Sequence, residues 1–370
     1  MHKLGTVHAA SPIARRKRAL PLIASAVFAA CTLAIASTSA AAPTPIRSNL
    51  PTEGTMAGFA GATTWLNSAP LLAPQLRGKV VLVDFWTYSC INCIRSMPYV
   101  RAWAAKYRDQ GLVVVGVHTP EFKFEEDLVN INAAVGRFRI DFPVAVDSNH
   151  AIWQAWGNHY WPAFYLADAN GKIRHHQFGE GSYDKLERAI QSLLAEARGN
   201  AGDTTLVNPT AGAEQMAPHP GGAQSEETYV GYGKASNVGS TPALREDRTQ
   251  MYAVNRLSLN QWGLSGRWVV GRESAVANEA GAGLAYQFSA RDLHLVLGPS
   301  VPGSRVRIKV TLDGHAPGAD HGADVDAEGN GVIDATRLYQ LVRQAGPVRA
   351  RRFELRFIDK GAEAFAFTFG

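Results

Sequence analysis

The sequence predicts an α/β domain of strands joined by helices, followed by an all-β sandwich. Three observations carry this reading. Between residues 79 and 197, strand-like apolar runs alternate with segments whose apolar residues recur at helical spacing. From residue 284 onward, short segments of alternating polarity are punctuated by Gly and Pro. Between these regions, residues 199–226 hold five Gly, three Pro and no aromatic residue, so they can bury little apolar surface and read as a linker. A chain of 370 residues is also longer than one core usually serves.

The elements follow in order. Residues 79–86 carry Val80-Val81-Leu82-Val83-Asp84-Phe85-Trp86, a near-continuous apolar run suited to a strand buried on both faces. A helix over 90–107 puts Ile94, Met97, Val100, Trp103 and Ala104 on one stripe. A second β-branched run spans 112–117, a helix 124–138, a short strand 142–146 and a helix 151–156. Strands at 162–166 and 173–178 flank Asn170-Gly171, a two-residue hairpin turn. The last helix of this domain, 183–197, spaces Leu186, Ile190, Leu193 and Leu194 along one face. In the second domain, strands are expected at 284–288, 293–297, 305–312, 353–357 and 365–369, with a short helix at 336–344. Trp262, Leu264 and Trp268 are evenly spaced, which puts them on one strand face and favours core over a sugar-stacking platform.

Residues 1–40 read as an export signal: Arg15-Arg16-Lys17-Arg18, an apolar run over 19–36, then small residues. Cleavage after Ala40 is the leading expectation, with lipidation at Cys31 or an uncleaved anchor as alternatives. The chain then divides into a signal peptide (1–40), the α/β domain (41–198), the linker (199–226) and the sandwich (227–370). Five bases and no acid in 1–40 account for the whole net charge of +5, so the remainder is close to neutral. That balance argues against nucleic-acid binding.

The chemistry lies in Cys90-Ile91-Asn92-Cys93, directly after the 79–86 strand. A strand opening into Cys-x-x-Cys at a helix start puts both sulfurs at the sheet's carboxyl edge. There the first helical N–H groups and the helix dipole favour a thiolate on the leading cysteine. With Cys31 removed no other cysteine remains, so the pair can cycle without scrambling, and it reads as a thiol–disulfide exchange site needing no cofactor. Zinc is disfavoured because no second cysteine pair exists and only His175 and His176 are adjacent, on opposite strand faces. The acids at 324–328 alternate like a calcium loop, but position twelve is Ala335, so a surface turn is the better reading. Glu125 and Glu126 are read as dipole partners at a helix N-terminus.

Val83-Asp84-Phe85-Trp86-x-x-x-Cys90-x-x-Cys93 and the later Trp161-Pro162-Ala163-Phe164 resemble the thioredoxin fold, a central mixed sheet flanked by helices. More narrowly they resemble the redoxins among exported thiol–disulfide oxidoreductases of the TlpA and DipZ types. The segment His118-Thr119-Pro120-Glu121-Phe122 is similar to the soluble part of DipZ-type proteins. The C-terminal part resembles that family's jelly-roll-like, carbohydrate-module-like domain through Tyr229-Val230-Gly231-Tyr232, Trp262-x-Leu264-x-Gly266-x-Trp268 and Leu312-Asp313-Gly314. The sequence departs from the family in having Ser89 where a Trp usually precedes the first cysteine, and Ile91-Asn92 as the intervening dipeptide.

By position Cys90 is the nucleophile and Cys93 the resolving thiol. The resemblance implies that Asp84 is a buried acid relaying a proton to or from Cys93. It implies too that Pro162 is a cis-proline leaving the Trp161 backbone free for an extended substrate. His118 and Glu121 follow a strand parallel to that of Asp84 and are candidate substrate contacts at the rim. The implied partners are protein disulfides, a membrane electron donor of the CcdA/DsbD type, and a glycan or protein at the C-terminal domain. The implied location is periplasmic or cell-envelope, and the reductive direction rests on the resemblance alone. The rival readings are a dithiol oxidase, and a cell-surface carbohydrate-binding protein whose redox domain is auxiliary.

Overall fold

The computed structural model describes residues 46–218 and 220–370, so the leader and Cys31 lie outside the described residues. Residues 45–370 form one compact unit built on two sheets.

The first sheet contains β1 (Gly54–Thr55), β2 (Thr64–Leu66), β3 (Val80–Trp86), β4 (Leu112–His118), β5 (Val144–Val146), β6 (Ala163–Ala167) and β7 (Lys172–Phe178). Its order is β1-β7-β6-β3-β4-β5-β2. β3, β4 and β5 run parallel, whereas β6 is antiparallel to β3 and forms the expected hairpin with β7. Five helices join or flank these strands: α1 (Ala73–Leu76), α2 (Ile91–Tyr107), α3 (Leu128–Arg137), α4 (Ala151–Ala155) and α5 (Tyr183–Arg198). This is a thioredoxin-like fold. Every residue of β3 is buried, which explains its lack of polar alternation. Val80 and Leu82 join the core with α2 and α5, while Val81, Val83 and Phe85 pack in a second cluster with Ile152.

The second sheet is all antiparallel. It contains β8 (Thr228–Tyr229), β9 (Ser240–Thr241), β10 (Thr249–Val254), β11 (Trp262–Val270), β12 (Ala275–Ala277) and β13 (Gly283–Ser289). It continues with β14 (Asp292–Pro299), β15 (Val306–Leu312), β16 (Asn330–Ile333), β17 (Arg337–Arg343), β18 (Ala350–Phe357) and β19 (Ala362–Phe369). β11 turns the corner between layers: residues before Gly266 pair with β13, and those after it pair with β10 and β12. Gly266 has a φ of 85°, and a Cβ there would meet the Ala282 backbone at 2.9 Å, so only glycine fits. The layers meet through rings such as Tyr286 on Phe367 (4.9 Å) and Trp268 on Phe357 (5.6 Å). Trp262, Leu264 and Trp268 are all fully buried, and both indoles donate to backbone carbonyls. They are core, not a platform.

Three expectations change. The segment expected as a helix at 336–344 is strand β17, Arg337–Arg343. Tyr339 and Leu341 point into the sandwich core while Leu338 packs against the α/β domain, so burial on both faces erased the strand alternation. The 124–138 helix splits into a 3-10 turn (Lys123–Glu126) and α3, because Asp127 caps α3 by accepting from Val129 N at 2.8 Å. The 199–226 segment has little regular structure but is tied down on both sides. Val207 N donates to Glu187 (2.9 Å), Arg137 pairs with Glu214 (2.8 Å), and Gln340 donates to the Glu214 carbonyl (2.6 Å). The 324–329 acids do form a turn: Asp324 holds Arg337 (2.8 Å) and Asp326 accepts from Asn330 N (2.7 Å).

The sandwich is docked directly on the α/β domain. Val296, Leu338, Phe365 and Ala366 belong to the same apolar cluster as Trp86, Tyr88 and Phe122. Phe365 lies 5.5 Å from Phe122 and 4.6 Å from Phe124, ring to ring. Beside this patch Arg95 of α2 reaches across to the fully buried Asp292 at 3.0 Å.

Candidate active site

β3 ends at Trp86, and four residues later Cys90 caps α2. Its extended backbone (φ −82°, ψ 117°) aims the sulfur back over the first turn, where Sγ accepts the Cys93 N–H at 3.4 Å. That bond and the peptide dipoles of the first turn both point at this sulfur. Cys90 is partly exposed and Cys93 is buried one turn along the helix; both are thiols. Burial pushes the Cys93 thiol well above its ordinary value, and the neighbouring Cys90 adds to the effect.

Asp84, six residues before Cys90, is completely buried, and neither carboxylate oxygen has a hydrogen-bond partner. Desolvation alone raises its pKa from 3.8 to about 8. The Trp161–Pro162 peptide is cis, and the Trp161 carbonyl lies 3.9 Å from Cys90 Sγ. The Trp161 indole donates to Thr119 O (3.1 Å) and packs on Trp153 (4.2 Å), which fixes this loop against the cysteine.

His118 does not fit a rim contact. It is fully buried, stacks on Tyr88 (5.5 Å) and sits edge-on to Trp86 (5.0 Å), with Nε2 3.4 Å from Thr87 Oγ1. Burial lowers its pKa to about 3, so the ring is neutral and out of a substrate's reach. Its strand ends under the cysteine loop rather than beside it, a depth that sequence spacing does not report. Glu121 does line the cavity that contains Cys90, although most of its side chain is buried.

Glu125 does serve the start of the 3-10 turn, through Phe122 N, but its carboxylate reaches further. It is fully buried and accepts from Ser89 Oγ (2.6 Å), Ser89 N (3.3 Å), Glu121 N (2.6 Å) and Phe122 N (3.1 Å). It therefore ties the loop before Cys90 to the loop after β4. The sequence carried no signal for it, since Glu125 stands in the acidic run Glu125-Glu126-Asp127 directly after Phe124. The other missed residues come from the C-terminal domain. The cavity at Cys90, about 430 Å³, is walled on its far side by Ser225, Glu227, Tyr229, Thr368 and Phe369. Tyr229 was conspicuous in sequence as one of several aromatics, with nothing to direct it toward Cys90.

A thioredoxin-like fold with a Cys-x-x-Cys pair at the α2 N-terminus defines a dithiol oxidoreductase class. The Redoxin family matches residues 58–190, and the family described as "Thioredoxin like C-terminal domain" matches residues 225–370. Protein DipZ of Mycobacterium bovis is 35% identical over 322 residues, which cover 86% of this chain but 43% of DipZ. Thiol-disulfide oxidoreductase YkuV of Bacillus subtilis is 36% identical over 141 residues, covering 38% of this chain and 95% of YkuV. Among solved structures, a thioredoxin-like protein in its oxidised form is 37% identical, covers 39% of this chain and 96% of its own, and superposes with a TM-score of 0.36. The chain belongs to the thioredoxin-like thiol–disulfide oxidoreductases, and it spans less than half the length of the DipZ relative.

Proposed function

We propose that the protein reduces protein disulfides through a mixed disulfide at Cys90. The observation that carries the exchange reaction is the pairing of a partly exposed, N-capping Cys90 with a buried Cys93 above an unpartnered Asp84; the reductive direction rests on the family resemblance. The Cys90 thiolate attacks one sulfur of the substrate disulfide, forming Cys90–S–S–R and releasing R′–S⁻, which takes a proton from solvent. Asp84, ionised, takes the Cys93 proton. Cys93 then attacks Cys90 Sγ, forming the Cys90–Cys93 disulfide and releasing R–S⁻, which is protonated in turn. Two electrons pass from the protein dithiol to the substrate. A membrane dithiol donor of the CcdA/DsbD type restores the reduced pair, which makes the working location the periplasm or cell envelope. Among the described residues no helix is long and apolar enough to cross a membrane. The substrate strand lies along Trp161 and Pro162, whose loop faces Cys90.

Cys93→Ser tests the order of events. The variant should accumulate a covalent complex with a disulfide substrate, located at Cys90 by mass spectrometry and released by dithiothreitol. A complex at neither position, or normal turnover by the variant, sinks the two-cysteine mechanism.

A further inference from the structure

The cavity at Cys90 lies between the two sheets, and the face opposite the cysteine is charged in one sense. Its lining includes two carboxylates, Glu121 from the loop after β4 and Glu227 from the segment entering β8, and no Lys or Arg. Both reach the same phenol: Tyr229 Oη bonds Glu121 Oε1, and lies 2.9 Å from Glu227 Oε2. A phenol has one proton to donate, so it can satisfy only one of the two groups as an ionised donor–acceptor pair. The second carboxyl, Glu227, is exposed, so water is its remaining donor and a substrate group can displace that water. Burial raises the pKa of Glu121 to about 7, with Glu227 adding to it, and burial also raises Glu227. Lys234 supplies weak compensation: its Nζ is 3.9 Å from Glu121 and 4.2 Å from the Tyr229 ring, and the side chain is 61% exposed. A second polar group on the same wall also lacks a partner. Thr368 is 7% exposed and lines the cavity, yet its Oγ1 makes no hydrogen bond. A cleft beside a reactive thiol that holds an under-satisfied carboxyl pair and an orphan hydroxyl is built to receive donors.

We propose that the C-terminal domain forms a selectivity wall for the exchange reaction, in which Glu121 and Glu227 receive a Lys or Arg side chain carried by the substrate beside its disulfide. The inference rests on Cys90 as the attacking thiol. The entering cation meets the largely buried Glu121, where charge is screened less, and the exposed Glu227 beside it. Glu227 and Tyr229 determine specificity; neither takes part in the electron transfer.

The test uses small disulfide peptides that differ only in one residue beside the cysteine, Lys, Gln or Glu, with kcat/KM measured for the full chain at neutral pH. The wild type should rank Lys over Gln over Glu, with Lys and Glu peptides separated on the order of tenfold. Glu227→Gln should shrink that ratio to a factor of two or three. Lys234→Gln, which removes the internal competitor, should widen it. Equal rates with all three peptides in the wild type, or an unchanged ratio in Glu227→Gln, overturn the selectivity wall while leaving thiol exchange intact. Absence of exchange with every peptide overturns both readings.

Discussion

Asp84 and Asp292 are equally inaccessible to solvent, and their surroundings are opposite. Asp84 sits in β3 with no hydrogen-bond partner, and desolvation raises its pKa to about 8. Asp292 opens β14 and is held by Arg95 (3.0 Å), Arg291 (2.5 Å) and Arg343 (2.8 Å). Burial pushes its pKa up, but hydrogen bonds from Arg291 and Arg343 outweigh that and hold it below the carboxylate range. Burying a carboxylate costs several kcal/mol unless it is compensated. The C-terminal domain supplies the compensation in full and uses the charge to clamp α2, through Arg95, against itself. The α/β domain withholds it under the cysteines. A paired buried acid marks architecture here, and the proposed proton relay falls on the orphaned one.

The largest expected effect breaks the architectural side. Asp292→Ala leaves Arg95, Arg291 and Arg343 facing one another without their shared counter-ion, and should cost about 3–5 kcal/mol in urea unfolding. A loss under about 1 kcal/mol would mean the arginines find other partners and the clamp is incidental.

The next effect sharpens the chemical side and has a defined sign. The folded-state pKa of Asp84 is raised above its ordinary 3.8, so the folded chain binds the extra proton between pH 3.8 and about 8. Its contribution to stability is complete below the unfolded pKa and is lost as pH rises toward 8. Asp84→Asn removes this slope. Relative to that variant, the wild type should lose on the order of 3 kcal/mol between about pH 4 and about pH 7. His118 acts in the opposite sense, because burial lowers its pKa to about 3 and stability falls with pH below 6.5. Only the difference between wild type and variant therefore isolates Asp84. Parallel stability curves would show that the Asp84 carboxyl is solvated or paired in solution.

Most of the α/β domain was legible because its signals are local. β3 is an apolar run broken only by Asp84, Asn170-Gly171 marks the hairpin, and Cys-x-x-Cys follows a strand. In the sandwich β13, β14, β15, β18 and β19 were legible for the same reason, as was the burial of Trp262 and Trp268, whereas β8, β9, β10, β12 and β16 were not. What failed depends on contacts between distant residues. Arg95 and Asp292 are 197 positions apart, and no periodicity connects them. β17 lost its alternation because its second face is covered by another domain. Glu125 is at the right place for a helix start, yet its four hydrogen bonds go to the cysteine loop and its neighbours. Sequence patterning reports that a face is buried, not what covers it, so the wall that Tyr229 and Glu227 build over Cys90 could not be read from the chain.

The pH dependence of the resolving step tests the central claim most directly. A mixed disulfide between Cys90 and a small aromatic thiol can be preformed, and its release by Cys93 followed in a single turnover in the wild type and in Asp84→Asn. If Asp84 takes the Cys93 proton, the wild-type rate rises through about pH 8 as the carboxyl ionises. The Asn variant should then be slower at neutral pH, with that inflection gone. Superimposable profiles would contradict the account and leave the orphaned carboxyl without a role in the exchange.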